Sequence, residues 1–213
     1  MKNTAINKLQ LITAIIVLLC TGVFLSWYII SIPFRQVADD IIENATQLRI
    51  NNILVLIFLC IGAIISLLIS KYVTLRLRLI LCALMLFTSY FSLSMQTITF
   101  HYTNNYILLY LSYAVLGGTA SGIILKPTGD ILNILLNGKK LITSVIVFGC
   151  ILIGSFLLGN LIKALVGPEA GDWKEAYTVI AIIIGAIVFI SSFILKQPNE
   201  SYVKSMKIEE EPV

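Results

Sequence analysis

Apolar residues run along this chain in long unbroken blocks, with no alternation of the kind a half-exposed strand needs. The blocks without a single charge cover 11–33, 53–70, 79–99, 106–125, 141–162 and 176–195. Each is close to the length of about 20 residues that a helix needs to cross the hydrocarbon of a bilayer. The pattern predicts an all-α, polytopic membrane protein with six transmembrane helices. It leaves a short segment, 1–10, before the first span and a tail, 196–213, after the last. The first block is too long for a signal-peptide core and has no small-x-small cleavage site behind it, so it reads as a retained span.

Composition closes off the other classes. Hydrophobic residues make up 58% of the 213 and charged residues 12%. A soluble domain of this length carries about twice that charge, and a disordered chain lacks this much Ile, Leu and Val. The four cysteines, Cys20, Cys60, Cys82 and Cys150, all fall inside spans at no metal-ligand spacing, and behave as small apolar residues.

The basic residues of the connections divide unevenly. One side takes Lys2, Lys8, Lys71, Arg76, Arg78, Lys126, Lys139, Lys140, Lys196, Lys204 and Lys207; the other takes Arg35, Arg49, Lys163 and Lys174. Lys and Arg are held back in the cytoplasm during insertion, which predicts both termini inside, in a plasma or inner membrane. The net charge of +4 is therefore a topology signal. No basic cluster interleaved with aromatics points to nucleic acid.

Polar residues within the spans fall into stripes. Thr21, Phe24, Tyr28 and Ser31 share a face of an ideal first helix, and Tyr106, Tyr110, Tyr113 and Gly117 share one on the fourth. Thr88, Ser92, Gln96 and Thr99 form a third, with Gln96 its most polar member. A hydroxyl or amide in hydrocarbon needs a partner, so these stripes face protein or a wet cavity. They read either as helix-packing faces or as walls of a solute path, with Thr21, Phe24, Tyr28, Tyr110, Tyr113 and Gln96 as the substrate-binding candidates. Gly117, Gly118 and Gly122 on span 4, and Gly154 and Gly159 on span 5, are packing candidates where backbones approach closely.

The order of features resembles the amino-terminal half of a major facilitator superfamily transporter. Span 1 ends at Ile32-Pro33, and a segment from Phe34 to Asn52 follows with apolar Val37, Ile41, Ala45 and Leu48. Span 4 carries Gly117-Gly118-Thr119-Ala120-Ser121-Gly122 and leaves the membrane at Lys126-Pro127-Thr128. A basic turn, Gly138-Lys139-Lys140, leads into the glycine-spaced span 5. Asp172-Trp173-Lys174-Glu175-Ala176-Tyr177 opens span 6, similar to the family's Gly-Trp-Arg-x-x-Phe, and Lys196-Gln197-Pro198 follows it. The chain departs from the family between spans 2 and 3, where Ser70 to Arg78 keeps basic residues without the signature Asp and Gly. It departs again in span 4, where Tyr113 stands at a position that is Arg in many proton-coupled members.

The resemblance implies two inverted three-helix repeats, with spans 1 and 4 in equivalent cavity-lining places, and it demotes Gln96 to an interhelical hydrogen bond. Members normally enclose a small-molecule solute between two six-helix halves. One half here implies a homodimer, a separate six-span partner or a truncated remnant; a non-transporting scaffold is the rival class.

No Asp, Glu, Arg, Lys or His stands in the middle of any span, which argues against a proton- or ion-coupled pump. His101, the single histidine, falls in a short connection and cannot build a metal site alone. The residues predict no catalytic, metal or cofactor site. There is no His-Glu-x-x-His, no phosphate-binding glycine loop and no in-membrane carboxylate pair, so an enzyme is not expected. The acidic tail, Glu209-Glu210-Glu211, reads as a solvated terminus.

Overall fold

The computed structural model of the chain describes residues 2–37, 41–103, 106–136, 138–166 and 173–196. The tail from 197 onward and Asp172 lie outside them, as do the side chains of Thr99 and His101. Among the described residues the chain is all-helical, and six of its helical stretches are long and apolar enough to cross a membrane. They run Asn7–Arg35, Thr46–Ile69, Leu75–Gln96, Tyr106–Leu135, Lys140–Val166 and Trp173–Ile194, and are called spans 1 to 6 below.

Spans pack in three principal pairs: 1 against 5, 2 against 4, and 3 against 6. Span 4 also lies against 3, and span 1 against 4 and 6, which holds the pairs in one bundle. Burial follows this arrangement. In their most apolar stretches spans 1 and 4 are 67% and 61% buried, and spans 2 and 5 only 17% each. Spans 1 and 4 are the inner helices. Spans 2 and 5 show long apolar faces outward, including Leu56, Ile64 and Leu68 on span 2 and Leu152 and Phe156 on span 5. Such faces are stable only against lipid or another apolar surface.

Two of the three pairs close on glycine. A Cβ on Gly154 of span 5 would overlap the main chain of Leu19, and one on Gly22 of span 1 would overlap the carbonyl of Ile151. Across spans 2 and 4 the same holds for Gly122 against Leu59 and Gly62 against Thr119, while Gly118 sits close to Val55 and Phe58. Small residues matter here because helices in lipid gain little from apolar burial as such and associate through close packing. Gly159 lies under Ile29 and Ser26, and Gly117 under the ring of Phe24.

The boundaries follow the apolar blocks within about four residues except at the start of span 2, which begins at Thr46 instead of 53, and at the end of span 4. There the helix does not stop at Lys126-Pro127-Thr128 but continues to Leu135 with Pro127 inside it. A proline in a helix strips the hydrogen bond from the carbonyl four residues earlier, here Ile123. That carbonyl accepts instead from the Ser66 hydroxyl of span 2, at 2.9 Å. Lys126 and Asp130, one turn apart past this point, form an exposed ion pair. The helix then ends at a tight reversal in which Gly138, at φ 73°, takes the left-handed conformation and its N–H donates to Asn133 O at 2.9 Å.

Ser66→Ala will therefore destabilise the bundle by about 1–3 kcal/mol, the cost of leaving a buried acceptor unpaired. Ser66→Thr, which keeps the donor, will not. Reversible unfolding in mixed micelles reads the difference, and an alanine variant as stable as the parent would sink the assignment.

Candidate functional site

Span 1 is not one uniform helix. Lys2–Thr21 is α-helical, Gly22–Ser26 is a 3-10 turn, and short helices Trp27–Ile30 and Ile32–Val37 follow. The change begins at Gly22, where the backbone presses on span 5, and ends at Ser26, whose ψ of 16° leaves the α-helical range. Backbone loosened this way inside a membrane has to be held by its neighbours. Four side-chain donors do so. Ser26 donates to Ser155 O at 2.6 Å, Tyr113 to Phe24 O at 3.1 Å, Tyr177 to Ile30 O at 2.7 Å, and the Trp27 indole N–H donates to Leu48 O at 2.9 Å.

The tighter turn also rotates the stripe expected on span 1. At three residues per turn instead of 3.6, Phe24 and Tyr28 no longer share a face. Phe24 is fully buried, while Tyr28 is 69% exposed. Thr21 is buried too, and its hydroxyl turns back to Leu18 O at 2.8 Å. Phe24 lies in a ring cluster with Tyr90 and Tyr113, at centroid distances of 5.4 and 5.0 Å, and the Trp27 ring lies tilted against Tyr113 at 4.7 Å. Phe24, Tyr90 and Tyr113 are sealed from solvent and lipid, and together they tie spans 1, 3 and 4.

Span 4 is irregular at the corresponding place, with a π-helical stretch from Tyr110 to Gly118 between α-helical segments. A wide turn of this length is rare and recurs at functional positions. The Tyr110 hydroxyl donates to the Gln47 side-chain oxygen of span 2. Gln96 is buried and donates to Ser112 Oγ at 2.8 Å and Ser92 Oγ at 3.1 Å, joining spans 3 and 4. Its Oε1 has no hydrogen-bond partner among the described residues.

Of the six candidate wall residues, Tyr28 lines an open cleft. That cleft, of about 350 Å³, is bounded by Leu25, Trp27, Tyr28 and Arg35 of span 1 and Leu48, Arg49 and Asn52 of span 2. The Trp27–Leu48 hydrogen bond ties its two walls together. Arg35, Arg49 and Asn52 are exposed, and neither arginine has an ion-pair partner among the described residues. A second, wider depression of about 370 Å³ lies between the far ends of spans 4 and 5, lined by residues that include Lys126, Asp130, Lys140 and Thr143. In it the charge of Lys126 is already met by Asp130.

Four polar residues matter here in ways the residue pattern did not mark. Arg35 and Arg49 counted only as charges of a connection, because the cleft exists only once spans 1 and 2 are tied. Asn51, beside the predicted start of span 2, is fully buried, and neither of its amide atoms has a partner among the described residues. The pair Asn51-Asn52 at a span boundary was the available signal. Arg78 also differs from its assignment to a connection. It lies within span 3, is 4% exposed, and donates from Nη1 to Ser66 O at 3.5 Å.

No group of three or more His, Cys, Asp or Glu side chains among the described residues could hold a metal ion. Cys20, Cys82 and Cys150 are buried free thiols, and Cys60 is an exposed one. No known family model and no curated protein matches this chain.

Proposed function

We propose that the chain is a six-helix half of an alternating-access transporter of the major facilitator type, moving a small organic solute once paired with a second half. The observation that carries this reading is an exchange relation in the packing. Swapping spans 1, 2 and 3 for 4, 5 and 6 turns the pair 1–5 into 4–2 and leaves 3–6 unchanged, so the three principal contacts map onto themselves. Burial obeys the same exchange, with 1 and 4 inner and 2 and 5 outer. The glycine contacts do as well, since Gly22 with Gly154 on one pair corresponds to Gly122 with Gly62 on the other. Two inverted three-helix repeats account for all three regularities.

The irregular backbone supports the same reading. Spans 1 and 4, equivalent under the exchange, are the two that leave α-helical geometry, and transporters place such broken helices beside the solute. The distribution of Lys and Arg supports both termini on the cytoplasmic side of a plasma or inner membrane. The ring cluster is the observation favouring the rival reading of a non-transporting scaffold, because Phe24 and Tyr113, two of the candidate wall residues, are fully buried against other rings.

Native mass spectrometry of gently extracted protein, followed by solute counterflow in liposomes, tests the proposal. A dimer, or a one-to-one complex with another six-span chain, restores the twelve helices needed and predicts saturable flux. A monomer without flux against a panel of neutral and anionic solutes leaves the scaffold.

A further inference from the structure

We infer that the cleft between spans 1 and 2 binds an anionic group, a carboxylate or phosphate borne on a small body with an apolar face. The inference names a solute class for the proposed transporter and rests on that reading only for its role in transport. Binding itself needs this chain alone.

Two guanidinium groups, Arg35 and Arg49, line one cleft, and neither is neutralised by a carboxylate among the described residues. The acids of the connection between them, Asp39 and Asp40, and the side chain of Glu43 lie outside those residues. Like charges that share a cleft at the end of an apolar bundle repel, and the repulsion is relieved by an anion that both can reach. Guanidinium suits this role because its planar fork meets two oxygens of a carboxylate or phosphate at once.

The remaining walls say what the anion is attached to. Asn52 adds a neutral amide, while Leu25, Leu48 and the rings of Trp27 and Tyr28 are apolar. Tyr28, which lines the cleft, is 69% exposed. About 350 Å³ is the lower end of the range for small-molecule sites, which limits the ligand to a small body. The cleft is also prepared in advance. The Trp27 N–H is spent on Leu48 O, fixing the distance between the walls, so little ordering is needed on binding.

The same chemistry is offered by a soluble organic anion and by an anionic lipid headgroup, and one experiment separates them. Trp27 and Trp173 are the chain's only tryptophans, and the Trp173 indole N–H has no hydrogen-bond partner among the described residues, so Trp173→Phe leaves Trp27 as the sole reporter. Full-length protein with this change is placed in phosphatidylcholine nanodiscs and titrated with hexyl phosphate, with hexanol as the uncharged control. The expected result is a saturable change in Trp27 emission with hexyl phosphate and none with hexanol. Arg35→Gln and Arg49→Gln each weaken it at least ten-fold, with thermal melting unchanged.

Repetition in nanodiscs containing phosphatidylglycerol assigns the source. Loss of the hexyl phosphate response, with an arginine-dependent emission shift already present, identifies a lipid headgroup; an unchanged titration identifies a soluble anion. No saturable response, as would follow if the connection's own carboxylates filled the cleft, overturns the inference. So does a response that survives both glutamine variants. Arginine-dependent binding without any flux would end the transporter reading and leave the site standing.

Discussion

Gly154→Ala will loosen the bundle by about 1–3 kcal/mol, the range for forcing one extra methyl group into a packed interior. Gly149→Ala, one and a half turns earlier in the same helix, will be neutral or stabilising. Alanine is the better helix former of the two residues by roughly 1 kcal/mol, so helix propensity alone predicts a gain at both positions. The sign differs because of what each new Cβ meets. At Gly154 it overlaps the backbone of Leu19, which cannot rotate away, and spans 1 and 5 have to separate. At Gly149 nothing stands within 4 Å. Unfolding of both variants under identical detergent conditions checks the contrast, and equal effects would show that spans 1 and 5 do not approach as described.

Phe24→Ala removes the side chain at the centre of the ring cluster, and the loss is expected to be about 2 kcal/mol. A water-soluble core would lose more, but here the unfolded reference is a helix in lipid, so the transfer component largely cancels and the cavity component remains. That component is about 24 cal/mol per Å³, and a deleted phenyl ring leaves roughly 100 Å³ if the site does not collapse. The geometry supplies a stricter test. A Cβ on Gly117 would collide with the Phe24 ring, so Gly117→Ala alone is destabilising. In the Phe24→Ala background the overlap with the ring is gone and the new methyl group meets the movable Ser89 Oγ at 2.8 Å, so the second change costs less than it does alone. Additive effects in this double-mutant cycle would contradict the contact.

The six spans were legible because each is a property of its own stretch of chain, hydrophobic enough and long enough by itself. What was not legible is what one span does to another. Pro127 reads locally as a terminator, and only the hydroxyl of Ser66 on span 2 makes it tolerable inside a helix. The stripe Thr21, Phe24, Tyr28 and Ser31 assumes uniform α-helical spacing; the 3-10 turn at Gly22–Ser26, packed against span 5, turns Tyr28 away from Phe24. Gln96 was singled out because an amide in hydrocarbon needs partners, and the donors it offers are taken by Ser92 and Ser112. Tyr110 and Tyr113 likewise face other spans, but which carbonyl each would meet depended on the fold.

The bond between Ser66 and Ile123 has a consequence for descent. A chain that kept Pro127 while losing Ser66 would carry an unanswered carbonyl inside the membrane, and one that lost Pro127 would return the Ile123 carbonyl to an ordinary helical N–H and free the serine to drift. The two positions therefore behave as one heritable unit although they lie on different helices. Among diverging copies of this chain, serine or threonine at the first should accompany proline at the second.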